Sequence, residues 1–229
     1  MNVSFVTTCK GRRWQLEQTL PTNLETLKKD HELVLLDYHS GDNILPYIKA
    51  NFGKYLANGQ LTYYQLATPK RYFEMAYAKN VAHLLGQGRV LFSLDADNFI
   101  GDDIDYVDSI VDNVIYTPDI YPGCMGGIYG RIGLTKNTFL MLNGYNENFS
   151  NVEGEDGNMV TRASIKGCHI RKSPAKAKCI DNTPLDKVKF RSPNATPVAT
   201  DMFGYANVID IKGRSFMVGE KLNGGWDYC

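Results

Sequence analysis

Four short, mostly apolar runs constrain this chain more than any other feature of it: Val3–Thr7, Glu32–Asp37 (ELVLLD), Leu61–Gln65 and Arg89–Leu94 (RVLFSL). Each has the length of a buried strand and gives way to polar residues or a turn. The segments between them have helical spacing. Arg12–Leu20 carries Leu16 and Leu20 on one side and is expected to break at Pro21. Asp42-Asn43 is read as the cap of a helix through Ile44, Ile48 and Phe52. Phe73, Tyr77, Val81, Leu84 and Leu85 mark a third helix, ended by Gly86 and Gly88. Strand and helix alternating in this way predict an α/β fold, a mostly parallel sheet with helices on both faces. Such sheets bind ligands beyond the carboxyl ends of their strands. That rule points to Thr7-Thr8, Asp37-Tyr38 and Asp95-Ala96-Asp97.

Past residue 100 the pattern weakens. Ile104, Val107, Ile110, Val111 and Val114 read as one helix face, and Gly123–Gly133 as irregular or strand-like. Lys136–Leu142 reads as a short helix capped by Thr135, and Asp156–Lys166 as another closed by Gly167. Residues 183–229, with Pro184, Pro193 and Pro197, show no strong period. The expected organisation is one domain over residues 1–182, with residues 183–229 as a C-terminal extension packed on it.

With 229 residues, 43% of them hydrophobic, the chain can bury one sizeable core. Its 25 basic residues balance its 25 acidic ones, which argues against nucleic-acid binding or a polybasic membrane anchor working through bulk charge. No apolar run approaches the roughly 20 residues that cross a bilayer. The opening MNVSFVTTCKGRR places its charges after a short apolar stretch, unlike a signal peptide. Cys9, Cys124, Cys168, Cys179 and Cys229 are odd in number without a C-x-x-C pair, and read as reduced thiols. The expected location is cytoplasmic, where the sequons at Asn148 and Asn194 carry no meaning.

Two constellations carry chemistry. A bare D-x-D is weak evidence, and Asp103-x-Asp105 is a second match, read as the polar side of a helix start. Asp95-Ala96-Asp97 differs because it terminates a strand that reads as buried. Two carboxylates there can reach one divalent ion, and hard oxygen ligands suit Mn²⁺ or Mg²⁺ with positions left open for phosphates. The plain alternative is a solvated strand-end turn. The second constellation is Asn143-Gly144-Tyr145-Asn146-Glu147, then Glu153-Gly154-Glu155-Asp156, then Arg162. Carboxylates at a helix start favour the positive end of its dipole, so Glu155 and Asp156 alone read as capping.

Together these residues resemble a known family. VSFVTTCKGR, ELVLLDYHSGD and AKNVAHLLGQGRVLFSLDADN look like the nucleotide-binding half of a GT-A fold glycosyltransferase close to family 2. GRIGLTKNTFLMLNGYNENFSNVEGEDGNMVTRASIKG resembles the acceptor-side segment of beta-1,4-galactosyltransferase-like enzymes. The resemblance covers roughly residues 3–182. It implies a nucleotide-binding half over 1–100 and an acceptor and catalytic half over 101–182. By this likeness Thr7, Thr8 and Arg12 line the base, and Asp37 contacts the nucleoside. Lys79-Asn80 matches an Arg-Asn step on the helix before the D-x-D and joins the donor site. Asp95 and Asp97 hold ribose and metal, with Asp97 the direct ligand. Asp156 matches the catalytic base and Glu155 its acceptor-binding neighbour.

The chain departs from the pattern at three places. Tyr38 stands where family 2 often has a second acid. The tryptophan that commonly precedes the Glu-Asp pair is replaced near Val152 or Glu153. The downstream metal-binding histidine has no clear equivalent; Asp181 or Asn182 in CIDN falls near its place, and His169 is the other candidate, with Asp181 taken as the third metal ligand. His31, His39 and His83 read as surface or packing residues. Gly126-Gly127 and Gly130 would let backbone approach the donor sugar, while Trp226 and Tyr228 read as anchors of the tail.

The implied activity is a metal-dependent, inverting hexosyl transfer from a nucleotide sugar, a UDP-sugar by resemblance, to a hydroxyl of a glycan or glycoconjugate. A lipid-linked acceptor would need a peripheral membrane surface. Two other classes use comparable features. A nucleotidyltransferase that makes nucleotide sugars requires a Gly-rich first loop, and glycine after Val3–Thr7 is limited to Gly11. A non-catalytic carbohydrate- or metal-binding module needs neither the Glu-Asp pair nor nucleotide affinity.

Overall fold

The computed structural model describes residues 1–68, 72–119, 127–149, 154–183, 189 and 206–218. Cys124, Cys229, Gly126, Val152, Glu153, Trp226, Tyr228 and the sequon at Asn194 lie outside the described residues.

Strands β1 (Val3–Cys9), β2 (His31–Asp37), β3 (Leu61–Leu66) and β4 (Val90–Ser93) are mutually parallel and lie in the order β3-β2-β1-β4. The four apolar runs of the sequence are these strands. Strands β1, β2 and β4 are buried throughout because both faces are covered, while β3 alternates buried and partly buried residues over its first four positions. Val3, Phe5, Leu33 and Leu35 join one cluster with Leu16, Leu20 and Leu24 of helix α1 (Arg13–Thr26) and Ile44 and Ile48 of α2 (Ile44–Asn51). The alternate residues Val6, Val34 and Leu36 join the opposite cluster with Tyr77 and Val81 of α4 (Met75–Leu85), the short α3 (Gly53–Ala57) lying between α2 and β3 in the chain.

The sheet continues on both sides. Past β4 come β7 (Gly133–Thr135), antiparallel to it, then β6 (Val114–Thr117), antiparallel to β7, and β8 (His169–Lys172), parallel to β6. Helices α5 (Lys136–Met141) and α6 (Glu155–Ile165) contribute Phe139, Met159 and Ala163 to a third cluster with Leu91, Ile115 and Leu134. Past β3 come β10 (Ala206–Asp210) and β11 (Ser215–Val218), each antiparallel to its neighbour, so part of the segment without a period completes the sheet. A separate two-stranded ladder pairs β5 (Asn98–Phe99) with β9 (Lys178–Cys179).

Local expectations fail where tertiary contacts decide. Helix α1 runs through Pro21 to Thr26. Proline removes one helical hydrogen bond, but the turn beyond it is held from outside: the Asn23 amide donates to Asn98 O at 2.9 Å and accepts from Ile100 N at 2.8 Å. Asn43 precedes α2 in a left-handed conformation (φ 59°) with no side-chain cap, and Asp42 accepts instead from Arg13 N at 3.0 Å. The expected helix over Ile104–Val114 is two 3₁₀ turns, Gly101–Asp105 and Val107–Ser109, followed by β6. Thr135 caps α5 as the sequence predicts, accepting from Thr138 N at 3.2 Å.

Candidate active site

Strand order reverses at β1, since β2 and β3 lie on one side of it and β4 on the other. At such a switch point the loops leaving two neighbouring strands diverge and open a crevice. Arg12 follows β1 and Asp95-Ala96-Asp97 follows β4, so both border it. The antiparallel pairing of β5 with β9 returns the chain to this place: Ile180 N donates to Asp97 O at 2.8 Å.

Side chains then close the crevice from both edges. The Asn182 amide donates to Asp97 Oδ2, and its Oδ1 accepts from Arg12 Nη1 and, at 2.7 Å, from Gln15 Nε2. Asp97 Oδ1 accepts from the Asn98 amide at 2.6 Å.

The acids of the second constellation arrive from α6. Lys79, on α4 and only 2% exposed, donates to Asp156 Oδ1 at 2.6 Å and to Glu155 Oε1 at 3.0 Å. Its ammonium also lies 5.3 Å from the centre of the Tyr145 ring. Gly130 joins this group to the first. A methyl placed there would meet Asp95 Oδ2 at 2.6 Å and Asp156 Oδ2 at 3.3 Å, so a larger residue would displace these carboxylates from where they stand. At Gly127 the same methyl position is close to Cys179 Sγ (3.0 Å) and in ordinary contact with Asp97 Oδ2 (3.9 Å).

This is an acidic site short of positive charge. Burial pushes the carboxyls of Asp95 and Asp97 above the usual range. Burial also lifts Asp156, to about 7, against the pull of Lys79. At Glu155 burial acts the same way, but the Lys79 charge and hydrogen bond outweigh it and hold the carboxyl low. Burial disfavours the Lys79 ammonium, yet Asp156 and Glu155 outweigh it and keep the group charged. The neighbouring Arg131 is committed elsewhere, to Asp103, Asn98 Oδ1 (3.1 Å) and the carbonyls of Phe99 (2.7 Å) and Ile100 (3.2 Å). Asp103 does stand in the first turn of the 3₁₀ segment Gly101–Asp105, but as a buried ion-pair partner.

No family model and no curated protein sequence matches this chain. Solved structures do. Residues 1–349 of TarS from S. aureus superpose with a TM-score of 0.58 at 16% identity, over 77% of this chain and 59% of that one. The mannosyltransferase PcManGT from Pyrobaculum calidifontis, in complex with GDP-Man and Mn²⁺, gives 0.61 at 17%, over 76% and 55%. GalNAc-T7 with UDP, GalNAc and Mn²⁺ gives 0.61 at 15%, over 76% and 42%. The fold is GT-A. The chain spans less than two thirds of the length of each of these GT-A glycosyltransferases.

Within the GT-A frame, the structure brings Asp95, Asp97, Lys79, Glu155 and Asp156 to one place, with Arg12 joined to it through Asn182. The residue of CIDN that reaches Asp97 is Asn182; Asp181 is exposed, and His169 is on β8 beside Val114. Asn80 faces another way: its amide donates to Tyr145 O (2.8 Å) and Glu147 Oε1 (2.9 Å) and accepts from Tyr145 N (2.7 Å), which holds Tyr145 and Glu147 against α4. Asp37 accepts from Tyr63 OH (2.8 Å), Gln65 Nε2 (3.1 Å) and Ser40 N (2.7 Å) at the end of β2. Thr7 and Thr8 are buried in β1, in register with Leu35 and Leu36. Arg162 donates to Leu142 O and Gly144 O, both at 2.6 Å, and so ties α6 to the turn after α5.

Gln15 stands in no motif of the sequence, and Lys10 lies within VSFVTTCKGR without a role assigned to it, yet both make contacts here. Lys10 Nζ donates to the carbonyls of Tyr38 and His39, each at 3.1 Å, stapling the loops after β1 and β2. For Gln15 a signal was present, its spacing from Arg12 on one helical turn.

His31 and His83 are buried, and His83 stacks on Phe139 with 5.0 Å between ring centres. His31 has Asp30 Oδ1 3.0 Å from its Nδ1 and Asp108 Oδ1 3.4 Å from its Nε2. That trio is at the start of β2, about 20 Å along the strand from Asp37, and Asp108 also accepts from Lys28 at 2.7 Å. It takes no part in the crevice. Cys9 and Cys168 are free thiols. Among the described residues no helix is long and apolar enough to cross a membrane.

Proposed function

We propose that the chain is a metal-dependent glycosyltransferase that moves a hexose from a nucleotide sugar, a UDP-sugar in our reading, to a hydroxyl of a glycan or glycoconjugate. One observation carries the proposal: at Gly130 a D-x-D carboxylate and an α6 carboxylate face the same few ångströms of space. A turn or a simple helix cap does not require that convergence. PcManGT was solved with GDP-Man and Mn²⁺, and GalNAc-T7 with UDP, GalNAc and Mn²⁺, which supports a nucleotide-sugar donor here.

The donor set fits a hard divalent cation. Asp95 and Asp97 offer oxygen ligands, and burial disfavours their charge unless a cation joins them. Bound there, Mn²⁺ or Mg²⁺ supplies Lewis-acid neutralisation of the departing diphosphate. Asn182, rather than the exposed Asp181, serves this site in our reading, as its amide N–H donates to Asp97 Oδ2 and orients that carboxylate. Arg12, Asp37, Thr7 and Thr8 border the nucleoside end of the crevice. The protein's own chemical step falls to Asp156, which accepts the proton of the acceptor hydroxyl as that oxygen attacks the anomeric carbon. Attack opposite the leaving group inverts the anomeric centre. Residues 127–149 and 154–182 form the acceptor side in this reading, and its likeness to beta-1,4-galactosyltransferases belongs to the same proposal.

The test is thermal stability against UDP, GDP, CDP and ADP, each with and without Mn²⁺. Binding to the native state raises the midpoint by mass action. We expect a rise with UDP that needs Mn²⁺ and disappears in Asp97→Ala. No rise with any nucleotide would favour the non-catalytic module.

A further inference from the structure

We propose that Lys79 is a positioning residue that selects which oxygen of Asp156 serves as the base, rather than a contact to the donor phosphates. The assignment rests on the transferase reading above.

The argument begins with where the ammonium is. Lys79 is enclosed, and its Nζ is bounded by Asp156 Oδ1 at 2.6 Å, Glu155 Oε1 at 3.0 Å and the face of the Tyr145 ring. A phosphate could reach it only by displacing one of these partners. The backbone beneath is fixed as well, because His83 Nδ1 meets Lys79 O at 2.6 Å within α4. This lysine is therefore built into the wall of the site.

Its effect on Asp156 follows from carboxylate geometry. One oxygen, Oδ1, is tied to the ammonium. The other, Oδ2, is the atom 3.3 Å from the methyl position at Gly130, a point also 2.6 Å from Asp95 Oδ2. The untied oxygen thus shares space with the D-x-D side of the crevice, where the donor's leaving group is expected. In the transfer step the acceptor O–H bond breaks and its proton goes to Asp156 Oδ2. The acceptor oxygen bonds to the anomeric carbon, and the bond from that carbon to the diphosphate oxygen breaks with its electron pair leaving on the diphosphate. Lys79 takes no proton because it is already an ammonium; Glu155 shares it and keeps its direction constant. A rotation of the Asp156 carboxyl would exchange the two oxygens, and the Lys79 contact opposes that rotation.

The experiment compares wild type, Lys79→Gln and Lys79→Arg by two readouts. One is the Mn²⁺-dependent midpoint shift with UDP. The other is UDP release, as kcat and donor KM, from whichever of UDP-glucose, UDP-galactose, UDP-GlcNAc and UDP-GalNAc the wild type turns over fastest. We expect Lys79→Gln to lower kcat by about tenfold or more, with donor KM and the UDP shift unchanged. Lys79→Arg, which keeps a cation beside both carboxylates, should recover most of kcat. A raised donor KM or a lost UDP shift in Lys79→Gln, or an unchanged kcat, overturns the assignment. Wild type that binds no nucleotide overturns the transferase reading itself, and this assignment with it. If Lys79→Gln does not fold, Lys79→Gln/Glu155→Gln removes one charge of each sign, and its comparison with Glu155→Gln alone gives the same decision.

Discussion

Asp156 is half-buried at the first turn of α6, and burial lifts its carboxyl to about 7 against the opposing charge of Lys79. Below that value the group is protonated and cannot accept a proton; above it the carboxylate is available. Transfer should therefore rise as pH increases through about 7. A divalent cation beside Asp95 favours the carboxylate, so saturating Mn²⁺ should move the rise to lower pH. A pH profile of kcat at two Mn²⁺ concentrations checks both statements, and a rate that is flat from pH 5 to 8, roughly the range of carboxyl and imidazole titration, would count against Asp156. Asp156→Asn keeps the shape and removes the basicity. It should cost about 10²- to 10⁴-fold in kcat and leave the UDP shift intact, whereas transfer at the wild-type rate would place the base elsewhere.

At the scale of elements, the buried link between Asp103 and Arg131 joins the 3₁₀ turn at Gly101–Asp105 to the segment entering β7. Arg131→Met would leave Asp103 charged and enclosed, at a cost of about 3–5 kcal/mol. That predicts a melting midpoint lower by roughly 10 °C. Removing the exposed partner in Arg13–Glu17 by Glu17→Gln should change the midpoint by little, and equal effects of the two substitutions would deny Arg131 its structural role. The same region shows where a sequence stops being legible. Strands β1, β2 and β4 could be read because each is buried on both faces, so nearly every residue of the run carries the signal, whereas in β3 Thr62, Tyr64 and Gln65 are only partly buried. Ile104, Val107, Ile110 and Val114 have helical spacing too, but they serve two turns and a strand, and period alone does not say where one element ends. That Asp95-Ala96-Asp97 stands at the end of a strand could be read from the run before it. The bridge from Arg12 through Asn182 to Asp97 could not, because contacts between such distant segments leave no local period. The Lys79 contacts were hidden for the same reason: the sequence places a lysine on a helix, and only the fold brings α6 to it.

Among the described residues the whole molecule is built on a nine-stranded sheet, with the crevice at its centre and later chain segments added at both sides. On the β3 side, Val208 is fully buried in β10 against the cluster that includes Tyr38 and Leu66, while Met217 in β11 is 62% exposed. Val208→Asp should therefore lower the midpoint by roughly ten degrees, as an unpaired charge in the core costs several kcal/mol, and Met217→Asp should change it little. Equal shifts would contradict this placement of the two strands. The order in which these strands are made has a further consequence. Strand β3 acquires its outer neighbour only when residues Ala206–Asp210 have been synthesised, long after Leu66. At about 5–20 residues per second the interval is on the order of ten seconds, and through it the growing chain presents the unpaired backbone of β3 to its surroundings. Folding on the ribosome must tolerate that open flank, so limiting yield during expression is expected to be a matter of what meets β3 before its partner arrives.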